Sequence, residues 1–209
     1  MRVDASTRAL RVRRLGVVII VTFSVTIGLW GCRVASTGYV GQAPQAQCLV
    51  RFSPNGGCTQ LIVDTIAQAK RTILVQAYSC TSKPIASALI GAHHRGVVVD
   101  VLLDKSQRTE RACVAELLAE DDIPVRIDAA HAIAHNKVMI IDGETVITGS
   151  FNFTESAEER NAENLLVIHD STLAQRYSAN WSAHAAHAQP YARKHVGNQV
   201  KDGTLFVHR

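Results

Sequence analysis

The chain is poor in aromatic residues: five Phe, four Tyr and two Trp among 209 positions. Its interior must therefore be built from the abundant Ala, Val, Ile and Leu, which suits an α/β core. No Cys-x2-Cys pair occurs among the five cysteines, which removes the commonest zinc-site spacing. No segment repeats. Charge of one sign is also missing once the N-terminus is set aside. The formal net charge is +4, but Arg2, Arg8, Arg11, Arg13 and Arg14 stand against one acid, Asp4, in residues 1–32; beyond position 32, seventeen basic residues face seventeen acidic ones. A domain so nearly neutral gives no bulk attraction for nucleic acid, so any affinity for phosphate must be local.

The N-terminus reads as a targeting segment. An Arg-rich stretch ends at Arg14, and Leu15 to Trp30 is sixteen residues without a charge. A spanning helix needs roughly 20, so this is the length of a signal-peptide core, with an uncleaved anchor as the alternative. Leu29-Trp30-Gly31-Cys32 resembles a bacterial lipoprotein cleavage box, although Trp30 is large for it, which makes Cys32 a candidate for lipidation. Val34-Ala35-Ser36 and Gly41-Gln42-Ala43 are other small-residue cleavage sites. Each reading exports the rest of the chain, to a bacterial periplasm or to a membrane anchored at its surface. With Cys32 removed or lipidated, Cys48, Cys58, Cys80 and Cys113 form an even set, as an oxidising compartment favours. A Cys48–Cys58 bridge would close the turn-rich loop around Phe52 to Gly57, and Cys80 and Cys113 would pair by default. Four cysteines allow about three connectivities, and buried thiols compete with all of them.

At this length one ordinary domain follows the N-terminal extra. Residues 1–32 form the signal or anchor, 33–47 a Gly-, Ala-, Gln- and Ser-rich linker, 48–188 a catalytic domain and 189–209 a tail without period. Apolar spacing predicts helices over Thr59–Lys70, Ser82–His94, Thr109–Glu120 and Ser171–His187. It predicts strands at Thr72–Tyr78, Val97–Leu103, Val125–Ile127 and Leu165–His169. Such alternation argues an α/β fold, a mixed sheet sandwiched between helices.

The most informative stretch is His135-Asn136-Lys137, four residues, Asp142, six residues, then Gly149-Ser150-Phe151-Asn152. Apolar Val138 to Ile141 follows the Lys, Asp142-Gly143 is a hairpin turn signal, and Val146-Ile147 begins the return strand. Strand alternation points His135 and Lys137 to one side, and Ser150 and Asn152 likewise. The hairpin so gathers an imidazole, an ammonium, a hydroxyl and an amide at one end. The set suits phosphate: charge from Lys137, donors from Ser150 and Asn152, and a nucleophile or proton carrier in His135.

His-x-Lys-x4-Asp-x6-Gly-Ser-x-Asn resembles the signature of the phospholipase D superfamily in residue type and in both spacings. Asn161 to Ile168 resembles the family's downstream segment, which implies that Glu163 orients the catalytic His. The stretch from Phe52-Ser53-Pro54 to Asp104-Lys105-Ser106 resembles the small bacterial periplasmic endonucleases of the superfamily. The resemblance covers roughly residues 48–185. It implies a phosphohistidine on His135, with Lys137, Ser150 and Asn152 holding the phosphoryl oxygens. Asp142 matches the signature too, but at a hairpin turn a structural role stands beside a catalytic one.

There is no second His-x-Lys in the chain. One imidazole cannot easily attack phosphorus and protonate the leaving oxygen on the opposite face. The small members of the family that the chain resembles supply the second copy from a twofold-related subunit, so the resemblance implies a homodimer with a composite site on its axis. No cofactor and no metal are expected. His184 and His187 have i,i+3 spacing on a helix, which could bind metal but reads first as a solvated face, and His131, four residues before His135, reads as a loop His with lining of the site as the alternative. The function expected is a metal-independent endonuclease acting on DNA, with RNA a further substrate. The alternatives are a phospholipase D or phosphatidyl transferase acting on phospholipids, and a non-catalytic binding protein on the same scaffold.

Overall fold

The computed structural model describes residues 47–192. The N-terminal segment, Cys32 and most of the linker and tail lie outside the described residues.

Eight strands form one mixed sheet. They are β1 (Gln47–Ser53), β2 (Thr72–Ala77), β3 (Val98–Asp104), β4 (Val125–Asp128), β5 (Lys137–Ile141), β6 (Thr145–Gly149), β7 (Glu163–His169) and β8 (Gln189–Pro190). Their spatial order is β1-β7-β6-β5-β2-β3-β4-β8. β2, β3 and β4 run parallel, while β5 meets β2 antiparallel and continues into β6, β7 and β1. The helices are α1 (Cys58–Ala67), α2 (Lys83–His94), α3 (Ala115–Glu120), α4 (Glu155–Glu159) and α5 (Ser171–Ala185).

The two faces of the sheet carry separate apolar cores. Alternation along β5 sends Met139 and Ile141 into the core shared with α1, α2 and α3, while Val138 and Ile140 join Leu102, Val146, Ala174 and Trp181 of α5. Trp181 buries its ring there and still satisfies its N–H, donating to the Val75 carbonyl at 2.9 Å. The sandwich expected from alternating strands and helices is the fold observed.

Four local features differ from the sequence pattern. Helix α3 starts only at Ala115, because the Asp104 carboxylate accepts from the Ser106 N–H and turns the chain into a short 3₁₀ segment, Lys105–Arg108. Strand β1 is an edge strand whose residues are exposed up to Phe52, so it has no alternating signature to read. Helix α4 is only five residues, started by the Thr154 hydroxyl accepting from the Ala157 N–H. The segment after α5 is docked rather than arm-like at its start: β8 pairs with β4, and Tyr191 bonds the Val125 carbonyl and the Glu116 carboxylate.

The expected Cys48–Cys58 bridge is not formed; both are thiols, Cys48 exposed and Cys58 buried. Cys48 lies opposite Ile168 near the start of β1, while Cys58 begins α1 beyond the strand's other end. Five extended steps of the chain lead from Cys48 to Ser53, roughly 17 Å at strand rise, whereas a bridge needs Cα atoms within about 7 Å. Burial pushes the Cys58 thiol up to about 11 and the Cys80 thiol up to about 12.

Candidate active site

The hairpin β5–β6 is made by its turn. Asp142 and Gly143 both take left-handed φ (57° and 69°), and the Glu144 N–H donates to the Ile141 carbonyl at 3.0 Å. At the opposite end of this hairpin lies a cleft of about 420 Å³, lined by His135, Asn136, Lys137, Val138, Thr148, Gly149, Ser150, Asn152, Glu163 and Tyr177. Five of the residues expected at the site, His135, Lys137, Ser150, Asn152 and Glu163, are therefore together. A larger cavity of about 880 Å³ bounded by α2, α4 and the segment before α3 contains none of them, so size does not mark the chemistry.

Tyr78 organises the basic pair. The His135 ring packs 4.6 Å from the Tyr78 ring, and the Lys137 ammonium sits 5.0 Å from the same ring's centre. The Tyr78 N–H donates to the Asn136 carbonyl at 2.8 Å, fixing the residue between them. Lys137 is buried and donates to the His135 carbonyl at 2.7 Å. Burial lowers its pKa, and the Glu163 charge opposes that shift. His135 itself is exposed, as an attacking group must be.

The Gly149–Asn152 segment owes its display to its phenylalanines. Phe151 and Phe153 are fully buried, which turns Ser150 and Asn152 the other way. Gly149 is required: its φ is 147°, and a Cβ there would meet the Asn164 carbonyl oxygen at 2.3 Å. That carbonyl accepts from the N–H groups of both Ser150 and Phe151. The Ser150 hydroxyl in turn accepts from the Asn164 backbone N–H (3.1 Å) and side-chain amide (3.4 Å). With its lone pairs so engaged, the hydroxyl has its proton left to give. Asn152 Oδ1 is buried without a partner. A half-turn of that amide places an N–H₂ there instead, a donor for a phosphoryl oxygen.

Two expected roles differ from the placements found. Asp142 is not in the cleft. It lies beyond the far end of β5, where its carboxylate accepts from the backbone N–H groups of Lys70, Arg71 and Thr72 at 2.9, 2.7 and 2.9 Å. Burial pushes this carboxyl up, but those three N–H groups and the Arg71 charge outweigh it and hold it below the usual range. Asp142 is thus a brace joining the turn to the start of β2. Glu163 does line the cleft, yet it makes no hydrogen bond to His135; its carboxylate accepts from the Asn161 side chain at 3.1 Å.

The histidines read as solvated or as loop residues are also placed differently. His131, His184 and His187 converge on Asp128, at 3.2, 2.6 and 3.2 Å. Sequence pattern does not single out Tyr78, Asp104 or Asn164, whose contributions are made through packing and backbone hydrogen bonds. Only the Gly149 position carries a local signal for the close approach of Asn164.

A family profile described as "Cardiolipin synthase, PLD-like domain" matches residues 62–184. A protein named phospholipase D from Rickettsia prowazekii (strain Madrid E) is 45% identical over 149 residues, covering 71% of this chain and 68% of the relative. Among solved structures, Nuc from Salmonella typhimurium, a phospholipase D family member, superposes with a TM-score of 0.69 at 37% identity, covering 72% of this chain and all of that one. NucT from Helicobacter pylori shares the fold, with a TM-score of 0.64 at 22% identity over 70% of this chain and all of that one. Fold and cleft define an enzyme of the hydrolase kind that works on phosphodiesters. The chain belongs to the phospholipase D superfamily.

Proposed function

We propose that this phosphodiesterase is an endonuclease that cleaves DNA through a phosphohistidine, in a homodimer whose two cleft halves meet. The observation that carries this reading is the composition of the cleft. Around His135 it is lined by Lys137, Asn136, Ser150, Asn152 and Glu163, polar and charged groups that suit a phosphodiester, beside Val138 and Tyr177. Its charge and donors converge on the place a phosphodiester would take beside His135. The resemblance of the chain to small bacterial endonucleases points the same way.

In this scheme a His135 nitrogen attacks phosphorus and displaces the leaving oxygen, which takes a proton from the His135 of the second copy. Water, deprotonated by that second imidazole, then attacks the phosphohistidine and restores the first. Lys137 and the Ser150 and Asn152 donors neutralise the non-bridging oxygens as charge builds. Asp142 takes no part. An exposed apolar strip supports the seating of a second copy. Phe52 is 64% exposed on edge strand β1, and in register it faces Asn164, the neighbour of Glu163. Val50, 44% exposed, extends that apolar strip on the same side of the strand. Export to the periplasm, by a signal segment or a lipidated Cys32, suits a nuclease that meets extracellular DNA.

A lipid substrate is the second reading. The observation favouring it is the name phospholipase D borne by the 45%-identical relative. Nicking of supercoiled plasmid by the full chain, beside hydrolysis of phosphatidylcholine and cardiolipin vesicles, separates the two. The nuclease reading expects nicking that His135→Ala abolishes and that falls steeply with salt, as counterion release requires. Vesicle hydrolysis without nicking overturns it. A monomer by sedimentation that remains fully active overturns the composite site.

A further inference from the structure

We propose that Asp128, His131, His184 and His187 form a structural site for one divalent transition-metal ion, with zinc the best fit. The four residues come from two chain segments far apart in sequence. Asp128 ends β4 and His131 follows it in the loop towards His135, while His184 lies in the last turn of α5 and His187 just after it. One donor atom from each lies within 4.8 Å of the other three.

The geometry suits a tetrahedral ion. Zinc bonds of about 2.0–2.1 Å to nitrogen and oxygen space the four donors roughly 3.3 Å apart. Nδ1 of His131 and Nε2 of His187 already stand 3.2 Å from Asp128 oxygens, and Nδ1 of His184 stands at 2.6 Å. The three imidazole centroids are separated by only 4.7, 5.2 and 5.6 Å. Rings gathered this closely around one carboxylate can each aim a ring nitrogen at a common point. Three imidazoles and one carboxylate match zinc, a borderline ion, better than calcium or magnesium, which prefer oxygen. The spacing, Asp-x2-His and His-x2-His, gives two short ligand pairs, the habit of structural zinc sites.

The surroundings are those of a built site. Asp128 is 1% exposed and also accepts from the Ala130 N–H. The His131 carbonyl is held by the Lys105 ammonium at 2.9 Å. Such second contacts fix the direction of the ligating groups. None of the four lines the cleft around His135, so the ion would be no Lewis acid in the reaction. Its work would be mechanical: pinning the loop that leads from β4 into His135 onto the end of α5, the helix that also brings Tyr177 to the cleft.

The experiment uses the full chain without an oligohistidine tag, dialysed against zinc and then against metal-free buffer. Metal content by mass spectrometry should be about one zinc per chain. Asp128→Asn and His184→Ala should lose it, and the His93→Ala/His94→Ala double variant should keep it. Cobalt in place of zinc should give the intense visible bands of four-coordinate Co(II), absent from His131→Ala, whose exposed side chain can be removed without opening the core. The melting temperature should rise by about 5–10 °C at free zinc a hundredfold above its dissociation constant. Wild type that retains no zinc, or variants that retain as much as wild type, would overturn the site.

Discussion

The Asp104 carboxylate accepts a hydrogen bond from the Ala134 N–H at 2.7 Å, one residue before His135. Its other oxygen accepts from the Ser106 N–H at 2.8 Å. One buried side chain at the end of β3 thus ties the β4–β5 loop to the sheet and sets where the imidazole emerges. Asp104→Ala leaves those N–H groups unpaired, a cost of about 1–3 kcal/mol each where water cannot reach them. As a positioning residue it should change turnover more than binding. kcat should fall by about tenfold or more with KM within twofold, because a small displacement of a reacting group is expensive. Equal changes in kcat and KM, or none, would contradict this role.

Lys137 should be needed for chemistry rather than for folding. Lys137→Met removes the buried ammonium from the cleft and should lower kcat/KM by about 10²–10³, the usual loss for one charge-stabilising donor. Lys137→Arg should not restore it, since a planar guanidinium cannot occupy the space beside Tyr78 with the same direction. A melting temperature near that of wild type would establish that the loss is local.

Asp142 separates the motif from the chemistry. Asp142→Ala removes three backbone hydrogen bonds and introduces a residue without a local partner at a left-handed φ, so stability should drop by about 2–4 kcal/mol in urea denaturation. At temperatures where the variant remains folded, kcat should stay within about twofold of wild type. A loss of activity as deep as that of His135→Ala would return Asp142 to the catalytic set.

Acid should act through the same carboxylates. The net pKa of Asp104 and of Asp142 is lowered, because backbone N–H groups and, respectively, Lys105 and Arg71 overcome the effect of burial. A depressed folded pKa means that the stabilisation is complete above the unfolded value, about 3.9, and is lost as pH falls through the folded one. Stability should therefore decline below about pH 4, and Asp142→Ala should flatten that decline. An unchanged acid limb in the variant would show that Asp142 is not among the groups responsible.

Gly149→Ala tests the close approach behind Ser150. A Cβ at this position collides with backbone, not with a movable side-chain end, and φ is one that Ala rarely adopts. The strand end must shift, taking Ser150 away from Asn164. Activity should fall by at least about tenfold, and the destabilisation should be on the order of 1–3 kcal/mol. Wild-type kinetics would mean that the Ser150 hydroxyl does not need its Asn164 anchor.

Much of the fold was legible because its central strands and long helices carry strong periods. The run Val97 to Leu103 reads as a strand buried on both faces, and β3 is one over its second half, Val101–Asp104, although Val98 at its start is exposed. The edge strand β1 and the short α4 escaped, since neither buries a regular face. Helix α3 was overestimated because its apparent start is consumed by the Asp104 cap. The disulfide expected from proximity in sequence failed because an extended strand carries Cys48 away from Cys58.

The amino-acid sequence by itself determined which groups meet in the cleft. His135, Lys137, Ser150 and Asn152 lie on the two strands of one hairpin or just past them, so alternation and a tight turn suffice to bring them together. It also displayed Ser150 and Asn152 by burying the phenylalanines beside them. Only the tertiary structure decided what Asp142, Asp104 and the three histidines around Asp128 do. Their partners are backbone groups and rings up to 72 positions away. Contacts of that kind depend on how sheet and helices pack, which no local period records.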